Sequence, residues 1–182
     1  YQQRLKTISE TWRPKLRSRA TWTRPGNWHL TLFFLGDISE ETIDRVQEAL
    51  SAIRHPCFQL KAGGGGFFPP GGKKPPRVVW AGLDRGAEEC TGLAAKVRKV
   101  LVQLGFEADQ RPFKPHLTLA RVKQANGGDD WPGLLRDLNA QEWPEVDMES
   151  FVLWQSFLKP SGPVYAALRE FQLCQRQSCD QR

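Results

Sequence analysis

Two of the three histidines in this chain stand in the same four-residue motif, His-Leu-Thr-Leu. The motif occurs at residues 29–32 and again at residues 116–119. From the composition, a given histidine has a His-apolar-Thr-apolar context by chance with a probability of ~0.007, and two of three have it with odds of ~1 in several thousand. The repeat therefore indicates that both histidines serve one purpose.

Imidazole and hydroxyl groups at this spacing suit acid–base chemistry on a phosphate ester. Side chains alternate between the two faces of a strand, so His29 shares a face with Thr31, and His116 with Thr118. Imidazole titrates near neutral pH, so one histidine can accept a proton while the other donates one. Cleavage of a phosphodiester also needs stabilised charge on the phosphate oxygens, and threonine hydroxyls can donate hydrogen bonds there.

Three other interpretations compete with this one. A metal site would use histidine, but neither motif contains a carboxylate, and the chain has no His-x-x-x-His spacing and no Cys-x-x-Cys pair. Acyl transfer would need a nucleophile elbow, which the sequence lacks. Two structural histidines, each bonded to its neighbouring threonine, are the simplest alternative. We interpret His55, which precedes Pro56, as structural or surface-exposed.

The segments around the motifs predict an α+β fold with largely antiparallel strands, because turn-linked strand pairs occur without regular strand–helix alternation. The predicted strands cover residues 29–35, 58–62, 78–83, 116–122, 146–158 and 164–173, the last two joined by a turn at 160–163. The predicted helices cover residues 1–11, 40–53, 93–104 and 131–139, the second capped by Ser39. Six Gly and four Pro between residues 63 and 76 predict a long loop.

Charge and composition narrow the class of protein. The 182 residues carry a net charge of +6, and the excess of basic residues lies within residues 1–30. Clustered bases suggest a partner that bears phosphate, with a solvated basic face as the alternative. No apolar run is long enough to span a membrane, and no leader is visible, so we expect a cytoplasmic protein. The four cysteines contain no Cys-x-x-Cys pair and are expected to be free thiols.

The chain resembles the two-histidine (2H) phosphoesterase superfamily, and within it the bacterial and archaeal RNA 2′,3′-cyclic phosphodiesterases, also called 2′-5′ RNA ligases. The resemblance covers most of residues 21–173 and rests on an ordered series of motifs. These are the paired tetrapeptides, Phe-Leu-Gly at 34–36, Gly-Phe-Phe-Pro at 66–69, Pro-Arg-Val-Val-Trp-Ala-Gly-Leu at 76–83, Pro-Phe-Lys-Pro at 112–115, Ala-Arg at 120–121, Ser-Phe-Leu at 156–158, Gly-Pro at 162–163 and Tyr165.

The resemblance implies a bilobal, pseudo-symmetric fold with mostly antiparallel sheets and flanking helices around a central cleft. We expect residues 1–173 to form this single domain and residues 174–182 to form a polar tail. Members of the family begin with a short apolar strand, whereas this sequence opens at Tyr1 within the first predicted helix, so we expect that strand to be missing.

The activity that the resemblance implies is metal-independent opening of a terminal 2′,3′-cyclic phosphate on RNA to a 2′-phosphate, with no cofactor. His29 would be the proton donor and His116 the proton acceptor, while Thr31 and Thr118 would hold the phosphate. The reverse reaction would join the cyclic end to a 5′-hydroxyl as a 2′-5′ bond. We expect a monomer with no obligatory protein partner and no membrane association.

Further candidate residues surround the motifs. Arg121 suits a phosphate contact, although strict alternation from His116 points it away from the site unless the strand bends, and an outward salt bridge is the alternative. Phe67, Phe68 and Phe113 could stack on a base, with core packing as the alternative. Residues 63–76 are a candidate lid or RNA-contacting loop, with a disordered connection as the alternative. Two other functions remain open, namely hydrolysis of a small cyclic nucleotide and nucleotide binding without turnover.

Overall fold

The computed structural model describes residues 1–71, 74–159 and 162–173. The helices are α1 (Gln2–Trp12), α2 (Glu40–Ser51), α3 (Ala87–Gln103) and α4 (Trp131–Asn139). The strands are β1 (Arg19–Trp22), β2 (Phe58–Phe68), β3 (Val78–Arg85), β4 (Leu117–Gln124), β5 (Glu145–Met148), β6 (Ser150–Lys159) and β7 (Gly162–Gln172). All four predicted helices are confirmed. Residues 160 and 161 of the predicted turn, and the predicted tail at 174–182, lie outside the described residues.

The chain divides into two compact, interleaved units, as the bilobal α+β prediction requires. The first unit contains Tyr1–Leu30, Lys61–Arg85 and Pro115–Glu145, and the second contains Thr31–Leu60, Gly86–Lys114 and the chain from Val146 onward. One sheet has the strand order β1-β4-β3-β2-β5, and β6 pairs with β7 in a separate two-stranded sheet. The pairings β1–β4, β2–β3, β3–β4 and β6–β7 are antiparallel.

Local sequence signals explain where the helices begin and end. The Ser39 hydroxyl accepts the Thr42 N–H at 3.3 Å and caps α2. The Asp130 carboxylate accepts the Gly133 N–H at 2.8 Å and caps α4 in the same way. An N-terminal cap of this kind stabilises a helix by about 1 kcal/mol because it pairs one of the N–H groups that lack an intrahelical acceptor.

The core of the first unit lies between two helices and one face of its strands. Leu5 and Trp12 of α1 pack with Leu138 of α4 against Val79 and Leu119 of β3 and β4. Each buried leucine contributes about 1.5–3 kcal/mol to stability relative to an exposed one. The face of these strands away from the helices therefore carries the alternate side chains, among them Trp80 and its partner Thr118. We call it the open face.

Strand β2 corrects the predicted loop at residues 63–76, because it continues through the glycine run to Phe68. The glycines are needed for close packing. A Cβ at Gly65 would lie 2.4 Å from a Leu138 methyl carbon, and one at Gly66 would lie 2.3 Å from the Trp80 ring. Gly64 has a φ of +65° where the β2–β3 register shifts, which is a backbone conformation that glycine adopts without strain.

The predicted strand at residues 29–35 is a second correction. Within the described residues, Leu30 forms a single antiparallel bridge with Leu117, and no ladder extends over residues 31–35. An apolar run favours an extended chain, but a strand also needs a partner for its backbone groups.

The predicted strand at residues 146–158 is in fact two strands. The chain passes from β5 in the five-stranded sheet to β6 in the two-stranded sheet, with Glu149 between them. The apolar pattern runs through both strands and does not show the change of sheet.

The second unit buries side chains for which we predicted no chemistry. His55 is 6% exposed, and its Nδ1 atom donates to the Pro56 carbonyl at 2.9 Å, consistent with a structural role. Cys57 and Cys90 are free thiols, and burial raises the pKa of Cys90 to about 11. Among the described residues, no helix is long and apolar enough to cross a membrane.

Candidate active site

The two motifs meet at an antiparallel bridge between Leu30 and Leu117. Strand β1 pairs with β4, and the contact continues to Thr23, the residue after β1. Thr23 donates through its N–H to the Leu119 carbonyl at 2.9 Å and through its hydroxyl to the Thr118 carbonyl at 2.8 Å. Residues 24–29 then leave the edge of β4 and return at Leu30. In an antiparallel pair, the residue before one bridged position lies opposite the residue after the other, so His29 lies opposite Thr118.

The exposed ring of His29 is held by its own backbone turn. Its Nδ1 atom lies 2.7 Å from the Asn27 carbonyl oxygen. A carbonyl oxygen only accepts hydrogen bonds, so Nδ1 carries the proton and donates. The turn itself is closed by the Asn27 N–H, which donates to the Arg24 carbonyl at 3.0 Å. The Nε2 atom of His29 is therefore the nitrogen that can give or take a proton.

The ring of His116 packs in an aromatic cluster. Its centroid lies 5.1 Å from that of Phe68 and 6.3 Å from that of Trp80, with interplanar angles of 79° and 60°. The Phe68 and Trp80 rings are 5.3 Å apart. Edge-to-face packing at these separations stabilises the cluster and restricts the orientation of the half-buried imidazole.

Trp80 is positioned by two glycines on its own face of the sheet. Gly66 is its partner on β2, and a Cβ there would overlap the indole, with contacts of 2.3, 2.6 and 2.9 Å. A Cβ at Gly82 would lie 3.3 Å from the other edge of the same ring. The absence of side chains at both positions allows the indole to lie against the sheet, where it is 8% exposed.

A β-bulge in β4 brings Arg121 onto the open face with Thr118. Val79 pairs with Ala120, but Trp80 pairs with Thr118, so Leu119 is an extra residue in β4. Leu119 and Ala120 are both buried, at 0% and 1% exposure, whereas Arg121 is exposed. Two successive inward side chains change the alternation by one position. This is the bend that the sequence analysis required for Arg121 to face the site.

The remaining candidate residues are Phe67, Phe113 and Thr31. Phe67 pairs with Val79, packs on the core and makes an edge contact with Trp131 at 5.7 Å, which favours the core-packing alternative and leaves its base-stacking role a prediction. Alternation on β2 places the neighbouring Phe68 on the open face instead. Phe113 and Thr31 are half-buried residues of the second unit.

Trp80 is the residue of this cluster that the sequence analysis did not single out for the site. The available signal was alternation along β3, because Val79 and Ala81 belong to the core and Trp80 lies between them. Among the described residues, no group of three or more His, Cys, Asp or Glu side chains lies close enough together to hold a metal ion.

Comparison with known proteins gives a consistent result. A family model described as LigT like phosphoesterase matches residues 1–80 and 83–165. An RNA 2′,3′-cyclic phosphodiesterase of Archaeoglobus fulgidus is 40% identical over 148 residues, which is 81% of each chain. An RNA 2′,3′-cyclic phosphodiesterase of Aeropyrum pernix is 38% identical over 144 residues, covering 79% of this chain and 81% of the relative.

Solved structures share the fold along almost the whole chain. A structure from Thermus thermophilus matches with a TM-score of 0.77 and 31% identity, covering 97% of this chain and 93% of that one. A structure of E. coli LigT complexed with 3′-AMP matches with a TM-score of 0.74, covering 94% of this chain and 90% of that one. At 24% identity, the second likeness shows the fold alone.

Proposed function

The chain belongs to the LigT-like phosphoesterase family, and we propose that it hydrolyses the 2′,3′-cyclic phosphate at the end of an RNA to a 2′-phosphate. Relatives that are 38–40% identical over about four fifths of the chain carry the name RNA 2′,3′-cyclic phosphodiesterase. The observation that supports the proposal is the Leu30–Leu117 bridge, because it joins one residue of each His-Leu-Thr-Leu motif.

The two histidines divide the proton transfers of this reaction. His116 takes a proton from water as the water oxygen attacks phosphorus. The bond between phosphorus and the 3′ oxygen then breaks, and His29 supplies a proton to that oxygen through Nε2. The products are a 3′-hydroxyl and a 2′-phosphate, and the proton count balances because one imidazole gains what the other loses. When a 5′-hydroxyl attacks phosphorus in place of water, the 3′ oxygen again leaves, the product is a 2′-5′ bond, and both histidines keep these roles. The roles exchange only when the 3′-hydroxyl attacks to form the cyclic phosphate again.

Hydrogen-bond donors around the phosphate stabilise the charge that develops on its oxygens. The hydroxyls of Thr31 and Thr118 serve this purpose, since each follows its histidine by two residues. Arg121 lies exposed on the open face that carries Thr118, and a guanidinium binds phosphate oxygens in a bidentate manner. Loss of one donor of this kind commonly reduces turnover by about 10²–10³-fold. We place the enzyme in the cytoplasm as a monomer that needs no metal.

The decisive test uses a short RNA that ends in a 2′,3′-cyclic phosphate, incubated with the protein in the presence of EDTA. We expect conversion to a 2′-phosphate end by the wild type, and loss of turnover in both His29→Ala and His116→Ala. His55→Ala is not the appropriate control because His55 is buried, so Lys6→Ala on the surface of α1 is used instead. Absence of turnover by folded wild-type protein would overturn the proposal. Turnover of a free cyclic mononucleotide without turnover of RNA would favour a small-molecule substrate, and RNA binding without turnover would indicate a binding module.

A further inference from the structure

The open face of β1 and β4 carries a row of basic residues beyond the candidate active site. Arg121 follows Thr118 on β4, and Lys123 comes next on the same strand. Thr21 of β1 pairs directly with Arg121, and Arg19 pairs with Gln124. These side chains are exposed, whereas the alternating neighbours Ala20, Trp22 and Val122 pack on the core. We call Arg19, Arg121 and Lys123 the basic row.

A second β-bulge lies within the basic row. Ala20 pairs with Val122, but Arg19 pairs with Gln124, so Lys123 is the extra residue in β4. Lys123 and Gln124 therefore lie together opposite Arg19, and both are exposed. The bulge at Leu119 turns Arg121 outward, and regular alternation through the buried Val122 then turns Lys123 outward as well. Without the bulge at Leu119, regular alternation from Thr118 would direct both basic residues of β4 toward the core.

The charges of the basic row are not neutralised within the described chain. The ion pairs found there join Lys6 to Glu10, Arg85 to Glu145, Arg111 to Asp109 and Arg136 to Asp130. Asp129, near the start of β1, is 9% exposed, and its carboxylate accepts the backbone N–H groups of Arg17 and Ser18 at 2.8 and 2.9 Å. The row therefore presents positive charge to solvent, which attracts anions.

The length of the row suits a polyanion rather than a single phosphate. At about 3.3 Å per strand residue, the distance along β4 from Thr118 to Lys123 is on the order of 13–16 Å. A nucleic acid strand carries about one charge per 3.4 Å of helix axis, so this distance spans several nucleotides. The terminal phosphate would be at the Thr118 end, where the motif histidines lie.

We propose that the basic row binds the backbone phosphates of the RNA nucleotides that precede the cyclic end. Arg19 and Lys123 act on substrates longer than one nucleotide, and a mononucleotide 2′,3′-cyclic phosphate does not reach them. This inference rests on the proposed function for its choice of polyanion. If the basic row binds RNA, this chain prefers RNA to the free cyclic nucleotide, and the preference depends on salt concentration.

The test compares an Arg19→Gln/Lys123→Gln double variant with wild type on two substrates. One is a mononucleotide 2′,3′-cyclic phosphate, and the other is a short RNA that ends in the same nucleotide. We expect the double variant to raise KM for the RNA about tenfold and to leave the mononucleotide unchanged. The slope of log KM for RNA against log salt concentration should fall by about 1.4, since each phosphate contact on a single strand contributes about 0.7.

The matched control is an Arg4→Gln/Arg13→Gln double variant. It also removes two exposed positive charges from the first unit, but from α1, which packs on the core face of the sheet. We expect this control to hydrolyse both substrates like wild type. An Arg19→Gln/Lys123→Gln variant with the wild-type KM for RNA and the wild-type salt slope would overturn the binding role of the basic row. An equal rise in KM for RNA in the Arg4→Gln/Arg13→Gln control would overturn it too. Both outcomes would leave the proposed function intact.

Failure of the proposed function is recognised separately. If wild-type protein hydrolyses neither substrate, fluorescence anisotropy with a labelled RNA that ends in a 2′-phosphate decides whether the basic row binds RNA. Weaker binding by the Arg19→Gln/Lys123→Gln variant than by the α1 control would support the row. Equal binding by the two variants would overturn it.

Discussion

The Nδ1 atom of His29 donates a hydrogen bond to the Asn27 carbonyl oxygen at 2.7 Å, within the turn that returns the chain to β4. This bond assigns the proton to Nδ1, so Nε2 is the nitrogen for which we propose proton transfer. A residue two positions upstream therefore helps to orient the ring. The turn between residues 24 and 29 is consequently a part of the site.

The His29→Asn variant tests proton transfer separately from the hydrogen bond that His29 donates to the Asn27 carbonyl. The asparagine amide can still donate to the Asn27 carbonyl, but it has no group that titrates near neutral pH. We expect the circular dichroism spectrum and thermal stability of wild type, with turnover of cyclic phosphate lower by about 10²–10⁴-fold. Retention of RNA-product binding serves as the control. Turnover within a few-fold of wild type would show that His29 does not exchange the proton.

Gly66→Ala tests the support beneath the aromatic cluster. The new methyl group would lie 2.3 Å from a carbon of the Trp80 ring, so the indole must move. Overpacking of this kind costs about 1–3 kcal/mol in the free energy of unfolding, measurable by urea denaturation. Because the Trp80 and His116 rings are in contact, we also expect turnover to fall.

Gly127→Ala is the matched control for this substitution. A Cβ at Gly127 meets nothing within 4 Å. We expect its free energy of unfolding to stay within about 0.5 kcal/mol of wild type, with normal turnover. Similar behaviour of the two alanine variants would contradict the packing role assigned to Gly66.

Asp129→Asn tests the hydrogen bonds that the backbone N–H groups of Arg17 and Ser18, just before β1, donate to the Asp129 carboxylate. Burial tends to raise the pKa of this carboxyl, but hydrogen bonds from Ser18 and the Arg17 backbone outweigh it, so the pKa lies below its ordinary value. A lowered pKa means that the ionised form stabilises the fold above the unfolded-state pKa of about 4, and that this contribution is lost as the pH falls through the folded-state pKa.

We therefore expect Asp129→Asn to lower the free energy of unfolding at pH 7 by about 1–3 kcal/mol, the usual value for hydrogen bonds to a charged group. The difference from wild type should shrink as the pH falls below 4 in a series of urea denaturation curves. A difference that is constant between pH 7 and the acid end of the series would show that the carboxylate charge does not stabilise this connection.

Local signals in the sequence were sufficient for much of the fold and for the choice of candidate catalytic residues. Each helix has its cap, apolar face or stop within a few neighbouring residues, as Ser39 and Asp130 illustrate. The repeated motif identified His29, His116, Thr31 and Thr118, because identical tetrapeptides are improbable by chance. Alternation along the second motif puts Leu117 and Leu119 on the face opposite His116, and in the structure they are 7% and 0% exposed.

Contacts between distant segments decided what the local patterns could not. The glycines of β2 suggested a loop, but they are the positions where Trp80 and Leu138 approach the strand. Phe67 and Phe68 are equivalent by composition, and only the register with β3 assigns one to the core and the other to His116.

The sequence by itself determined the four helices, the antiparallel α+β class and the pair of motifs, since these depend on the periodicity and composition of short segments. Tertiary structure alone decided that Arg121, Lys123 and Arg19 share the open face with Thr118, because a β-bulge at Leu119 changes the alternation along β4 and β1 pairs beside it. A bulge arises from hydrogen-bond pairing between strands that lie far apart in the chain, as β1 and β3 do from β4. No pattern within β4 itself records where its partners pair.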